Sequence, residues 1–263
     1  MYEGEIKNQG DKVIIRQHAT ITISDYVKGQ SLQHQRPEAP NVELLIDKGK
    51  YFSLVLDDVD AVQSDLKLLD DWAMDAAEQM KITIDTDVLA DVYADVHADN
   101  MGTAAGRKSE SINLGTTGTP VTLTKVNVLD YLVDCGTVLD EQNVPEQGRW
   151  FVIPAWMAGL IKKSDLKDAS MTGDATSAMR NGRLGIIDRF TLYTSNLLST
   201  YSTDSATRCL FGHPKALTFA TQLTKTEKLR AESTFGDIIR GLQVFGYEVI
   251  KPEAMGHLYA AKG

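Results

Sequence analysis

The sequence has few cysteines, no long apolar run and no leader pattern at its start. Its two cysteines, Cys135 and Cys209, are too few for a disulfide framework, and both lie in apolar patterns that are typical of buried thiols. No run of about eighteen apolar residues is present, so no membrane-spanning helix is predicted. The first residues, Met1 to Glu5, lack the basic and apolar blocks of a signal peptide. These absences favour a soluble, intracellular protein.

Positive charge is also scarce. The 263 residues include 27 Lys and Arg against 36 Asp and Glu, which gives a net charge of −9 and a pI near 5.1. Proteins that bind duplex DNA through its phosphates carry a basic patch or stripe instead. We therefore expect no sequence-specific binding of nucleic acid, and a hydrophobic content of 43% is enough for a sizeable core.

Motifs for catalysis, cofactors and metals are missing as well. The five histidines are scattered, and no Gly-x-Ser-x-Gly, Cys-x-x-Cys or Gly-x-Gly-x-x-Gly pattern occurs. Residues 102–109 come near a phosphate-binding loop, but the spacing is one residue short and a helix precedes it where a strand is needed. The cluster of Asp57, Asp58 and Asp60 lacks the ligand spacing of a calcium loop and is better explained as an acidic first helical turn. The sequence predicts no enzyme, cofactor or metal site.

What the sequence does contain is one long, strongly acidic helical pattern. Residues 57–99 hold thirteen acidic residues against only Lys67 and Lys81. Apolar residues recur every three or four positions from Val62 to Val96, which is the period of one helical face. About forty helical residues would span roughly 60 Å, more than the width of a compact domain of this size. The β-branched stretch 81–86 is compatible with a kink or break.

Before this helix, the pattern is that of strands joined by a polar link. Four stretches alternate between apolar and polar residues: 12–16, 20–23, 42–46 and 51–56. Residues 25–40 are polar, contain two prolines and have no helical period. A structureless link of this length is uncommon inside a compact domain. Both a flexible surface loop and a β-arm that packs on a neighbouring subunit fit this pattern.

The part after the helix mixes helices and strands without a regular β-α-β order, which favours the α+β class. Helices are predicted over 124–139 and 155–162, with Pro154 as the first residue of the second one. Strands are predicted over 149–153, 183–187, 190–194, 208–211, 235–250 and 256–260. The 235–250 strand is expected to bend at Gly241 and Gly246.

Several stretches carry a resemblance to a known family. They are YEGEIKNQGDKV at 2–13, ISDYVKG at 23–29, KYFSLVLDDVDAVQ at 50–63, FGDIIRGLQVFGYEVIKPEA at 235–254 and LYA at 258–260. In this order they resemble the major capsid proteins of tailed bacteriophages, which share the HK97-type shell fold. Within that family the closest likeness is to the branch of the P22-type coat proteins, and the resemblance extends over nearly the whole chain.

The resemblance implies an α+β, HK97-like capsid fold with five parts. Residues 1–11 would be the remnant of an N-terminal arm, and 12–56 an extended β-hairpin arm, the E-loop. Residues 57–118 would form the P-domain with a long spine helix, and 119–221 the central A-domain. Residues 222–263 would be C-terminal strands that return to the P-domain.

The function that the resemblance implies is that of a major capsid protein. Such a protein self-assembles into the icosahedral shell that encloses a phage double-stranded DNA genome, and it is found in the virion after assembly in the host cytoplasm. Its partners would be other copies of itself, as pentamers and hexamers, together with scaffold, portal or decoration proteins and no membrane. We expect basic arm residues to meet the acidic helix of a neighbour. The candidate interface residues are Lys28, Arg36, Lys48, Asp57, Asp58, Asp70 and Asp71.

Three other functions remain open from the residues. An encapsulin-like compartment shell shares the fold but packages protein cargo, which the contents of purified particles would reveal. A metal-dependent α+β hydrolase would use Asp57, Asp58 and Asp60, and it would be monomeric with metal-dependent turnover. A tail or decoration component would assemble onto particles without forming shells.

Overall fold

A computed structural model of the protein describes residues 12–16, 21–31, 34–37, 41–58, 68–164, 185–232 and 234–263. Within these residues the α-helices are α1 (Leu68–Asp91), α2 (Val128–Glu141) and α3 (Ala155–Lys163). The strands are β1 (Lys12–Arg16), β2 (Asn41–Leu45), β3 (Lys48–Asp57), β4 (Val121–Leu123), β5 (Arg149–Ile153), β6 (Ile186–Ile187), β7 (Phe190–Thr194), β8 (Thr200–Tyr201), β9 (Ala206–Gly212), β10 (Leu217–Arg230), β11 (Gly236–Val249) and β12 (Met255–Lys262). Helices and strands alternate irregularly, which confirms the α+β prediction.

The long acidic helix is confirmed as α1, but it ends earlier than the sequence pattern indicates. Its 24 described residues span about 36 Å. The expected end was Asp99, whereas a 3₁₀ turn over Val92–Asp95 follows α1 and Val96 is extended. Val92 and Val96 are buried in the main core, so tertiary packing ends the helix where periodicity alone would continue it. At the other end, Asp57 is the last residue of β3, and residues 59–67 lie outside the described residues.

The β-branched stretch inside α1 does not interrupt the helix. Residues 81–86 are helical throughout, so the kink or break that this stretch would permit is not seen. The hydroxyl of Thr83 donates to the carbonyl of Gln79 (2.8 Å), and that of Thr86 donates to the carbonyl of Ile82 (2.7 Å). These bonds let threonine satisfy its own polar group within a helix.

A small antiparallel sheet lies beside α1, with the strand order β10-β11-β3. β10 and β11 pair from Leu217 and Val249 to Arg230 and Asp237, and β11 also pairs with β3 along nearly its full length. The predicted 235–250 strand is therefore confirmed as β11. Its pairing with β10 continues through Gly241 and Gly246, where bends were expected, and the register shifts between Thr221 and Leu223 of β10.

The arm begins as a two-stranded sheet. β1 and β2 are antiparallel, with Lys12 opposite Leu45 and Arg16 opposite Asn41. A small core anchors this pair to β10: it consists of Ile15, Leu44, Ile46 and Ala220. The strand predicted over 20–23 is not formed, because Ile21 to Ile23 have no sheet partner among the described residues, and Thr20 lies outside them.

The main core lies between a larger mixed sheet and the helices α2 and α3. The sheet order is β4-β12-β9-β5-β7-β6, and β8 pairs with β9. Phe151, Phe190 and Phe211 from three neighbouring strands bring their ring centroids within 5.5 to 6.2 Å of one another. The strands predicted over 149–153 and 190–194 are confirmed to the residue. The last strand, β12, pairs with β9 and β4 in this sheet.

Both cysteines are buried and unpaired, as the sequence indicated. Burial raises the pKa of the Cys135 thiol and of the Cys209 thiol, because the thiolate loses its hydration in an apolar environment. The two side chains therefore stay protonated and pack as small apolar groups in the main core.

A buried arginine holds the connection between α2 and β5. The Arg149 side chain is 0% exposed and forms an ion pair with Asp140 at 2.7 Å. Its guanidinium also donates to the carbonyls of Gly136, Val144 and Pro145 at 2.7 to 3.2 Å. Because these bonds occupy its donors, the buried charge does not remain unsatisfied.

The small sheet and the arm meet at a close backbone contact. A Cβ at Gly246 would overlap the carbonyl oxygen of Leu45, whereas a Cβ at Gly49 would meet nothing. Gly246→Ala should therefore lower the free energy of unfolding by about 1–3 kcal/mol, because backbone atoms would have to separate. Gly49→Ala is the matched control and should change it by less than about 0.5 kcal/mol. Urea denaturation of the dissociated subunit measures both; equal stability of the two variants would contradict the contact.

Candidate subunit interfaces

The base of the arm is fastened to the end of α1 by a three-residue cluster. Lys48 Nζ lies 3.1 Å from Asp91 Oδ2 and 2.5 Å from the hydroxyl of Tyr247, which itself donates to Asp91 at 2.8 Å. Hydrogen bonds from Tyr247 and Lys48 hold the pKa of Asp91 below its usual value. Burial works to lower the pKa of Lys48, but its bonds to Tyr247 and Asp91 outweigh this and raise it. The cluster joins β3, α1 and β11.

A second ion pair repeats this contact one helical turn away. Lys50 Nζ lies 2.6 Å from Asp87 Oδ2. Lys48 and Lys50 are two residues apart on a strand, and Asp87 and Asp91 are four apart on a helix, so each pair lies on one face of its element. The two pairs together fix how α1 lies along β3.

The end of β3, where the acidic residues 57–99 begin, is bonded to the turn that joins β10 and β11. Arg230 pairs with both carboxylate oxygens of Asp58, one of them at 2.8 Å from Nη1, and it also lies 3.3 Å from Asp237. The backbone amide of Asp58 donates to the carbonyl of Phe235 at 2.9 Å. The predicted acidic turn therefore has a cationic partner in its own chain.

Beyond β1 and β2 the arm exposes apolar side chains. The side-chain amide of Gln35 makes two bonds to the backbone of Thr22, at 2.8 and 3.1 Å, which links the two sides of the arm. Ile21, Ile23 and Tyr26 next to this link are exposed, and Ile23 is 93% exposed. Exposed apolar groups that cluster on a projecting segment are typical of an interaction surface.

A groove of about 580 Å³ runs between β3 and α1. β3 is the outer strand of the small sheet: it pairs with β11 on one side and with no strand of the described residues on the other. The apolar part of the lining consists of Tyr51, Phe52, Leu54, Trp72 and Met80, and Asp75 adds a carboxylate. An unpaired strand edge beside an apolar groove is a template for an additional strand.

The exposed surface of the chain is larger than a compact fold would leave. The chain exposes 16,607 Å², whereas a compact monomer of 28.9 kDa exposes roughly 11,400 Å². The exposed arm and the open groove are part of this surface.

The candidate residues from the sequence fall into separate groups. Lys28 and Arg36 are exposed on the arm and have no ion pair among the described residues. Lys48 and Asp58 pair with Asp91 and Arg230 of the same chain. The other candidates are acidic: Asp57 is exposed at the end of β3, Asp71 is exposed on α1, and the side chain of Asp70 lies outside the described residues.

Sequence reasoning missed a buried cation in the larger sheet. The Arg208 guanidinium lies 4.0 Å from the ring centre of Tyr93 and within 5.1 Å of those of Tyr201 and Tyr259. It also donates to the hydroxyl of Thr117 at 3.1 Å. Stacking on aromatic faces is a known environment for arginine. A lone arginine inside an apolar strand was the available signal, but its partners are far away in sequence.

Two other kinds of site were sought in the part of the chain that the structure describes. No group of three or more His, Cys, Asp and Glu side chains there is arranged to hold a metal ion. No helix there combines the length and the apolar character that crossing a membrane requires.

Comparison with known proteins points to one family. A family model described as phage capsid protein matches residues 42–258. A solved structure of Mycobacterium phage Che8 is similar with a TM-score of 0.77 and 27% identity, covering 97% of this chain and 86% of that chain. The Cyanophage Pam1 capsid asymmetric unit has a TM-score of 0.74 and 9% identity, covering 99% of this chain and 88% of that chain. The capsid structure of Cyanophage P-SCSP1u has a TM-score of 0.71 and 15% sequence identity, covering 97% of this chain and 85% of that chain. No sequence among curated proteins matches the chain.

The Asp91 cluster predicts a pH-dependent contribution to stability. Because the pKa of Asp91 is lowered in the folded chain, its contribution is present above the unfolded value, near 3.9, and is lost as the pH falls through the folded value. Asp91→Asn should lower the free energy of unfolding at pH 7 by up to about 1 kcal/mol, since the side chain is largely exposed, and by less at pH 3. Denaturation at both pH values measures this. Asp85→Asn, an exposed helix carboxylate without an ion pair among the described residues, should have no such effect; a similar loss in both variants would contradict the assignment.

Proposed function

Because this chain belongs to the phage capsid protein family, we propose that the surfaces its own fold leaves open are covered by other copies of itself. It is a major capsid protein with the HK97-type fold, and it forms the icosahedral shell of a virion. The match of the family model to residues 42–258 is the observation that carries this conclusion. The family is structural, so the hydrolase alternative is wrong, and Asp58 serves instead as a partner of Arg230.

We propose further details of the shell from the sequence resemblance and from geometry. A closed icosahedral shell has five-fold vertices, and we expect pentamers there and hexamers elsewhere. We also propose that the shell encloses a double-stranded DNA genome, that the chain lies in the P22-type branch, and that scaffold, portal or decoration proteins join it.

We propose that the five sequence ranges act as separate parts of the subunit. Residues 12–56 would be the E-loop arm, 57–118 the P-domain with α1, and 119–221 the A-domain with most of the larger sheet. Residues 222–263 would return to the P-domain through β11 before the chain ends in β12. The separation of the small sheet from the larger sheet supports a division of this kind.

The arm of one copy is proposed to lie in the groove between β3 and α1 of the next. In an extended segment, neighbouring residues direct their backbone groups to opposite edges. The backbone N–H and C=O of Thr22 bond to the side chain of Gln35, so the backbone groups of Ile21 and Ile23 face the opposite edge of the arm. At that edge they could pair with the unpaired edge of β3 in a neighbouring copy. Both isoleucine side chains would then share one face and enter the apolar groove.

Charge supports the same arrangement. Lys28 and Arg36 of the arm lack ion pairs among the described residues, and α1 beside the groove exposes Asp71 and Asp75. We propose that these arm cations meet the acidic face of α1 in a neighbour, with Asp57 and Asp70 in the same acidic region. Lys48 and Asp58 would act indirectly, because they hold the arm base and the β3 junction in place.

Replacing both arm isoleucines should block assembly without unfolding the subunit. Ile21→Asp with Ile23→Asp removes the apolar contact and adds charge, while the exposed positions should keep the free energy of unfolding within about 0.5 kcal/mol. In electron micrographs the unchanged chain should form closed particles of uniform size, and the double variant should remain as dissociated subunits.

A matched control uses two equally exposed apolar residues outside the arm. Val126→Asp with Ile186→Asp carries the same chemical change and should still give closed particles. Normal shells from the arm variant, or the same failure in both variants, would contradict the role of the arm. If the unchanged chain stays monomeric at high concentration, the container function itself fails.

Reversing the arm charges should impair assembly in a salt-dependent way. Lys28→Glu with Arg36→Glu places acidic groups against the acidic helix, which slows and weakens association, and most strongly at low ionic strength. Light scattering during assembly measures the rate. Lys125→Glu with Lys163→Glu gives the same change of net charge elsewhere and should assemble faster than the arm variant. Equal rates at low salt would remove the pairing of arm and helix.

A further inference from the structure

A polar cleft of about 450 Å³ lies where four connections of the chain meet, away from the arm and the groove. The loop after α1 contributes Arg107, and the turn after α2 contributes residues 142–145. The turn between β9 and β10 adds His213 and Lys215, and the connection from β11 to β12 adds Lys251, Glu253 and Ala254. No single element forms this cleft, so it exists only in the folded chain.

The walls of the cleft are held by backbone hydrogen bonds. His213 N donates to the carbonyl of Ala254 at 2.9 Å, and the amides of Ile250 and Lys251 both donate to the carbonyl of Ala216, at 2.7 and 3.2 Å. The imidazole Nδ1 of His213 accepts a hydrogen bond from the backbone amide of Lys215 at 3.2 Å. These bonds hold the backbone of the two connections that carry Lys215 and Lys251.

The cleft concentrates cations that have no partner. Arg107, Lys215 and Lys251 line it, and none of them forms an ion pair with the described residues. This differs from the small sheet and the arm base, where the charged groups are paired, as in Lys48 with Asp91 and Arg230 with Asp58. In a chain with a net charge of −9, three cations around one cleft against the single carboxylate of Glu253 give it a positive balance that suits an oxyanion.

The features of the cleft favour a single carboxylate over the phosphates of a duplex. Duplex binding needs a basic stripe that follows successive phosphates, and here the cations surround one cavity. Glu253 also lines the cleft and offsets part of its positive charge, so the charge that remains suits one carboxylate better than a run of phosphates. Carboxylates are abundant on the surface of every copy: Asp71, Asp75 and Asp85 are exposed on α1 alone, without ion pairs among the described residues.

We propose that the cleft formed by Arg107, Lys215 and Lys251 binds an acidic side chain of a second copy of this chain. The inference rests on the function as a shell protein and adds to it a contact separate from the arm. In a shell of identical copies, an acidic surface group and this cleft are present in equal numbers, so every subunit both offers and receives the contact.

Carbodiimide coupling of the unchanged protein tests the contact directly. This reagent joins a lysine amine to a carboxylate that it touches, with loss of water. In assembled particles, and not in dissociated subunits, Lys215 or Lys251 should form an amide with an Asp or Glu side chain of a second copy. After proteolysis, mass spectrometry identifies the two joined peptides. Lys81 and Lys125, which are exposed elsewhere, provide the internal comparison. Particles without such a bond from Lys215 or Lys251 would overturn the proposal.

Neutralising the cleft should weaken assembly while leaving the fold intact. Lys215→Gln with Lys251→Gln should raise the critical subunit concentration about fivefold at physiological salt and by a smaller factor at 1 M salt. Lys81→Gln with Lys125→Gln changes the net charge equally and should leave the critical concentration unchanged. Thermal unfolding of both variants checks that the subunits are folded. The same critical concentration in both would overturn the proposal.

Assembly of particles with and without duplex DNA distinguishes a carboxylate in the cleft from a DNA phosphate. The lysine–carboxylate bond should form in both preparations. If Lys215 and Lys251 become protected from chemical modification only when DNA is present, the cleft binds phosphate and the proposal is overturned. Particles that form normally without the bond would leave the shell function intact, whereas a chain that forms no particles would remove the function itself.

Discussion

The pairing of β3 with β11 is the contact on which the rest of the subunit depends. β11 joins the hairpin to β3, and β3 in turn connects the arm to the acidic segment. Lys48 and Lys50 extend from this strand to Asp91 and Asp87, so α1 is aligned with the sheet by charge as well as by packing. Among the described residues the strand therefore has β11 and α1 as neighbours and one unpaired edge, which is the edge that we propose a second copy covers.

The charged groups of this protein divide into those that pair within the chain and those that, under the proposed contacts, pair between chains. The cations on β3 and on the β10–β11 hairpin find carboxylates in their own chain. The cations of the arm and of the cleft do not find them among the described residues, and the solvent face of α1 keeps its acidic groups free. Under the proposed contacts, a chain with an acidic excess carries complementary charges for its neighbours.

Local patterns were sufficient for some elements and insufficient where distant residues decide the outcome. β5 and β7 were predicted to the residue, because each is a short apolar run between turn signals. The end of α1 was not, since the burial of Val92 depends on a core built by other segments. β10 was missed, because its apolar residues are interrupted by the polar run from Thr224 to Lys228 and give no sustained apolar alternation.

The interface residues show the same limit. Lys28 and Arg36 could be nominated from charge because they lie in a polar link, and the structure leaves both exposed. Lys48 has the same charge, but its partners Asp91 and Tyr247 are 43 and 199 residues away, so no local pattern indicated that it was already used. The close contact of Gly246 with Leu45 has one more consequence: it leaves no room for the root of the arm to move closer to β11. If subunits meet at different angles around five-fold and six-fold axes, as the proposed pentamers and hexamers require, the difference in curvature falls on the arm beyond β1 and β2. There Gln35 bonds to Thr22, and Gln30 bonds to Val27.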